Sequence, residues 1–212
     1  MRLAQDRVGE IILIDKVVGL AKAKAFDLGD AQAVLKNSYS VIGTDDFNQI
    51  KGSDIVVITA GLPRKPGMSR EDLVQKNRAI VEAVTRQIVA CSPQCFIIMV
   101  SNPLDTMAYL AYKVSGFSRN RVMGMAGVLD SARFKTFIAM ELNISVEEVQ
   151  AFVLGGHGDE MVPLIRYSTV AGIPISQLIA EDRIQAIVER TRKAGGEIVN
   201  LLKTGSAFYS PA

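Results

Sequence analysis

Three short apolar runs, "EIILID", "DIVVITAG" and "CFIIMVSNP", are each too brief to be a buried helix. Each is apolar at successive positions and closes on an acid, a glycine or a polar-proline step. Runs of this length, rich in Ile and Val and apolar on both faces, suit strands of a parallel sheet that is covered on both sides. The stretches between them have helical spacing. "GLAKAKAFDLGDA" follows the first run, and "SREDLVQKNRAIVEAVTRQIVACS" follows the second, with Ser69 placed to cap it and Glu71 and Asp72 in its first turn. Strands alternating with helices predict βαβ units in an α/β, doubly wound parallel sheet. Ligands of such sheets bind beyond the carboxyl ends of the strands, which directs attention to Asp15, to "TAGLPRKPGMSR" and to "SNP".

The alternation stops after "NRVMGMAGVLDSARFKTFIAMEL". A strand-turn, "EVQAFVLGGHGDE", and a long helical stretch, "EDRIQAIVERTRKAGGEIVNLLK", come next. We therefore expect two units, residues 1–125 and residues 126–212, packed without a linker. No G-x-G-x-x-G turn occurs, although a dinucleotide-binding sheet ordinarily opens with one. "MRLAQDRVG" reads as the tail of a helix, and "GSAFYSPA" as the opening of a further element. The expectation is an internal portion of a longer protein.

Composition narrows the partners. A formal charge of +2, with Lys and Arg dispersed along 212 residues, excludes an electrostatic nucleic-acid or anionic-membrane surface. The apolar runs are too short to span a bilayer, and no basic segment leads into a signal-like stretch, so a cytoplasmic protein with a small-molecule partner is expected. Cys91 and Cys95 match neither a redox pair nor a zinc half-site and are read as packing thiols. No metal is expected.

The residues with chemistry are few. His157 is the single histidine of the chain and stands in "VLGGHGDEMVP", where the apolar pattern breaks into glycines. An imidazole there can serve in proton transfer or simply occupy a turn. Asp15 can accept ribose hydroxyls at a strand end or cap the next turn. Arg64, Lys65 and Arg70 lie in a loop punctuated by Pro and Gly, suited to gripping an anion from a closing lid or to solvation. Asn102 can donate and accept, or merely make an Asn-Pro turn. Asp130 and Arg133 share a helix face as site residues or as a surface ion pair. A proton-transferring histidine, an acid to orient it and arginines for carboxylates are together the parts needed to oxidise a hydroxy acid.

"GLPRKPGMSREDLVQKN", "VSNPLD", "GVLDSARF" and "GGHGDEMVP" together resemble the lactate/malate dehydrogenase family, and most of the chain is similar to its lactate-dehydrogenase-like group of bacterial malate dehydrogenases. The resemblance implies a Rossmann-type sheet followed by part of an α+β catalytic domain. It also implies NAD as cofactor and (S)-malate and oxaloacetate as substrates, in a reaction of the tricarboxylic acid cycle. By resemblance His157 is the proton acceptor and Asp130 its partner, while Arg133 holds one substrate carboxylate, Arg64 selects the far end, Arg70 polarises the carbonyl and Ser206 lines the cavity. Asp15, Asn77, Val100, Ser101 and Asn102 fall at cofactor-contacting positions, and Asn102 also bonds the reacting oxygen. Relatives imply a homodimer or homotetramer. A lactate or other 2-hydroxy acid dehydrogenase is the nearest alternative, and Arg64 weighs against it because it suits a second carboxylate. A non-catalytic fragment that binds a dicarboxylate or a partner chain is the alternative of a different class, and the first strand and glycine turn missing from the pattern leave the chain's own activity open.

Overall fold

A computed structural model describes residues 1–63 and 70–202. The chain forms two compact units that interleave in sequence. Among the described residues the first comprises Met1–Val56 with Ala83–Phe96, and the second residues from 57 to 82 with those from 97 to 202. This is a division of another kind from the sequential pair 1–125 and 126–212.

The opening unit begins with a short helix, α1 (Arg2–Gln5), and the strand β1 (Ile11–Ile14). Helix α2 (Leu20–Leu35) follows, and then β2 (Val41–Thr44), which pairs in parallel with β1 from Ile11 opposite Val41 to Ile14 opposite Thr44. β2 carries no long apolar run and was not among the expected strands. Its Gly43 is required by close approach, because a Cβ there would lie 2.1 Å from the Ala21 carbonyl oxygen of α2. The helix can lie directly on the strand only when that side chain is absent.

β3 (Ile55–Ile58), helix α3 (Arg70–Cys91) and β4 (Phe96–Met99) run through both units. Helix α3 buries Leu73, Asn77, Val81, Thr85 and Ile88 at helical spacing, so its inward stripe is partly polar. Ser69, expected to cap it, lies outside the described residues. Cys95 is buried and Cys91 half-buried. Helix α4 (Leu104–Ser115) and β5 (Val122–Gly124) complete a sheet ordered β3-β4-β5, with β4 and β5 parallel.

The expected parallel sheet is thus present as two separate groups, β1-β2 and β3-β4-β5.

Beyond β5 come helix α5 (Gly127–Leu142), β6 (Val149–Gln150), β7 (Val153–Gly155), β8 (Met161–Pro163), β9 (Thr169–Val170), β10 (Ile173–Pro174) and helix α6 (Glu181–Leu202). β7 and β8 form an antiparallel hairpin, and β10-β9-β6 a small antiparallel sheet. One apolar cluster holds these elements together: Phe134 and Ile138 of α5, Val153 of β7, and Ile184, Ile187 and Val188 of α6. Each such side chain, fully buried, is worth about 1.5–3 kcal/mol in transfer free energy, which makes α5 a rigid platform for what it carries. Among the described residues no helix is long and apolar enough to cross a membrane.

Candidate active site

His157 stands in the turn of the β7–β8 hairpin. Gly155 makes that turn possible: its φ is +84°, and a Cβ there would lie 2.5 Å from the Glu160 carbonyl oxygen. Any other residue would be strained in backbone and blocked in space. The hairpin is tied to α5 by the Val153 amide, which donates to Ser131 Oγ at 2.9 Å. Ser131 directly follows Asp130, so this bond sets the height of the hairpin against the first turn of α5. Sequence reading overlooked Ser131, because a helical serine carries no signal of a partner 22 residues away.

Across that junction His157 Nδ1 lies 2.8 Å from Asp130 Oδ2. Asp130 is only 2% exposed and His157 18%. A carboxylate can only accept, so Nδ1 carries the proton and donates it to Asp130. Nε2 is then left as an acceptor facing outward from the pair. The second Asp130 oxygen, Oδ1, accepts no hydrogen bond among the described residues and lies 3.7 Å from Arg133 Nη1. Burial pushes the Arg133 guanidinium below its ordinary pKa, and the Asp130 charge opposes that shift. Arginine stays protonated through such a shift, so a cation, a buried anion and an imidazole share one end of α5. Asp130 is buried and Arg133 half-buried, so the pair differs from an exposed helix-surface pair.

Asn77 is 1% exposed. Its amide nitrogen donates to the carbonyls of Asn102, at 2.6 Å, and Leu62, at 3.2 Å, while its oxygen accepts the Leu62 N–H at 2.7 Å. Its amide is thereby engaged with backbone at the ends of β3 and β4. Ser101 is buried there as well and donates to the Ala60 carbonyl at 2.6 Å, and the Val100 amide donates to the Ile58 carbonyl at 2.9 Å. Side-chain hydrogen bonds therefore set the loops after the two strands against each other, with the side chain of Asn102 exposed at the end. In the first unit Asp15 is half-buried after β1, and its Oδ1 accepts the Val17 N–H at 2.9 Å. That bond closes a local turn ahead of α2, whose N-cap is Gly19. Arg64, the side chain of Arg70, and Ser206 lie outside the described residues.

Both halves of the chain match known profiles, the lactate/malate dehydrogenase NAD binding domain over residues 1–124 and the alpha/beta C-terminal domain over residues 127–212. The chain belongs to the lactate/malate dehydrogenase family. It is 56% identical over 212 residues to a malate dehydrogenase of Geobacillus thermodenitrificans, covering 99% of this chain and 68% of that protein. The apo malate dehydrogenase of Picrophilus torridus superposes with a TM-score of 0.94 at 51% identity, covering 99% of this chain and 67% of the other. The lactate dehydrogenase of Cryptosporidium parvum, in complex with lactic acid and nicotinamide adenine dinucleotide, superposes at 0.93 with 40% identity, covering 99% and 68%. As a member of this family the chain spans about two thirds of the length of these proteins.

Proposed function

We propose that the chain carries the proton-transfer and substrate-binding machinery of an NAD-dependent malate dehydrogenase, which interconverts (S)-malate and oxaloacetate. The observation that carries this reading is the hydrogen bond from His157 Nδ1 to the buried Asp130, with Arg133 one helical turn further on. It presents Nε2 as the base. In malate oxidation His157 Nε2 takes the proton from the hydroxyl oxygen while a hydride leaves the carbon that bears it, and the alcohol becomes a ketone. NAD, when bound, supplies the hydride acceptor. Asp130 then balances the imidazolium that forms, and reduction of oxaloacetate returns the same proton.

Arg133 pairs with the carboxylate beside the reacting carbon, as a planar donor fork does best. Arg64 takes the second carboxylate, Arg70 polarises the carbonyl, Asn102 bonds the reacting oxygen and Ser206 lines the cavity. The chain's residues suit the two ribose ends of the cofactor: a half-buried carboxylate after β1 at Asp15, and backbone held in place at Val100, Ser101 and Asn102. Asn77 serves that end through the backbone it holds. No glycine-rich turn for a pyrophosphate is present in the sequence. Residues 1–125 form the cofactor domain and 126–212 the substrate domain of a cytoplasmic homodimer or homotetramer. Malate dehydrogenases at 50–59% identity, against 38–40% for two lactate dehydrogenases and 37–41% for other malate dehydrogenases, favour the dicarboxylate.

The test is NADH oxidation with oxaloacetate and with pyruvate, on the 212-residue chain and on a chain extended at both ends to its relatives' length. Turnover of oxaloacetate well above pyruvate by the extended chain is expected. A preference for pyruvate, or no turnover of either by a folded extended chain, overturns the reading.

A further inference from the structure

One hydrogen bond at the site belongs to a residue outside the catalytic set. Asp105, in the first turn of α4, receives the backbone N–H of His157 on its Oδ2 at 2.9 Å, across 52 residues of sequence. An acid in a first helical turn is ordinarily explained by the helix dipole, and that role asks for no particular orientation of the carboxylate. Here the carboxylate is directed at the one amide that carries the catalytic imidazole.

We propose that Asp105 is a positioning residue: its carboxylate fixes the His157 turn by a charge-assisted hydrogen bond, and thereby holds the imidazole in register with Asn102, three residues before it in the same loop-helix junction. The proposal rests on the reading of His157 as the proton acceptor. Two anchors then define the imidazole. Asp130 sets its tautomer and ring plane from α5, and Asp105 sets the backbone that bears it from α4. A hydrogen bond to a charged acceptor is roughly twice as strong as a neutral one, which suits an exposed turn that has to stay in place in water. Displacement of a catalytic group by about 1 Å can cost about 10²-fold in rate, so loss of the anchor acts on turnover more than on binding.

The sole histidine makes this directly observable, since ¹⁵N-histidine labelling of the 212-residue chain marks one backbone amide and one ring. In the unaltered chain the ring should show the Nδ1–H tautomer, with slow amide exchange. Asp105→Ala should accelerate exchange of that amide by roughly 10-fold or more and admit the second tautomer, because a bond to a charged group is removed. Asp105→Asn keeps an acceptor oxygen without the charge and should accelerate exchange about fivefold. Should the alanine variant not fold, the asparagine variant carries the test. Exchange within twofold of the unaltered chain in any folded variant overturns the proposal. In the extended chain Asp105→Ala should lower kcat by about 10–100-fold with KM for oxaloacetate within about threefold, and Asp105→Asn should recover most of it. Loss confined to KM also overturns it. Asp130→Asn separates the two levels: if it leaves the Nδ1–H tautomer unchanged, the functional reading fails, whereas the Asp105 bond is still judged by amide exchange.

Discussion

His157 Nδ1 donates to Asp130 Oδ2 over 2.8 Å, and the acid is almost wholly buried while the imidazole keeps a solvent-facing edge. The pair is therefore polarised by its surroundings. Its inner nitrogen is committed and its outer nitrogen is available, which is the condition for a base that can give its proton back.

His157→Asn should retain cofactor binding and lose turnover. Asparagine can fill the space and make a hydrogen bond, yet it cannot accept the hydroxyl proton, and positioned acid–base catalysis is typically worth about 10²–10⁴-fold. An NADH titration and kcat in both directions measure this. Malate oxidation requires a neutral imidazole and oxaloacetate reduction a protonated one, so the two directions should respond oppositely to pH. Turnover within tenfold of the unaltered protein sinks the assignment.

Arg64→Gln should narrow the preference for oxaloacetate over pyruvate by about 2–4 kcal/mol, because a desolvated charge pair is removed. The ratio of kcat/KM for the two acids is the measurement. A ratio that does not move shows that position 64 does not meet the second carboxylate.

Asp15→Ser tests the cofactor end of the chain. It should weaken NADH binding and reduce its advantage over NADPH, since a ribose acceptor and the repulsion of a 2′-phosphate disappear together. Comparison of Kd for the two nucleotides decides between this role and the turn that Asp15 makes with Val17. Selectivity that stays the same leaves Asp15 as the residue of that turn alone.

Gly155→Ala should cost about 1–3 kcal/mol in stability and a larger factor in activity. The added methyl meets a left-handed backbone, at φ +84°, and a carbonyl oxygen at 2.5 Å, so the turn bearing His157 must shift. Denaturant unfolding together with kcat reads both effects. Unchanged kcat would falsify the view that this turn places the imidazole.

Acid should weaken the ion pairs of α6 in a predictable direction. Hydrogen bonds from Arg183 hold the Glu141 carboxyl below its ordinary pKa, and Lys193 and Arg190 do the same for Glu189 and Glu197. A carboxylate depressed in the folded state stabilises above its unfolded pKa, about 4.3, and loses that contribution as pH falls through the folded value. These pairs are at the surface, so Glu141→Gln should lower Tm by only about 1–3 °C at pH 7, with the difference closing below about pH 4. A Tm difference that is equal at pH 7 and pH 3 would place its origin elsewhere.

The alternation of apolar runs with helical stretches was enough to read β1, β3 and β4 and the helices between them, but the expected cover on both faces is not seen, since Ile55 and Val57 of β3 and Phe96 of β4 are exposed. β2, with Gly43 and Thr44 among four residues, and β5, ending on Gly124, left no such trace. Their strand state comes from hydrogen bonding to a neighbour, and pairing is a property of two segments. The division of the parallel strands into β1-β2 and β3-β4-β5 likewise follows from which strands find partners. Of the site, residue types and order were legible: a lone histidine among glycines, and an acid and an arginine on one helix face. Which oxygen of Asp130 meets which nitrogen of His157, the burial that turns an ordinary i,i+3 pair into a charged platform, and the bonds that Ser131 and Asp105 accept were not. Chemical type and local spacing are carried by the chain itself, whereas desolvation and contacts between segments 22 to 52 residues apart exist only once the backbone has closed on itself.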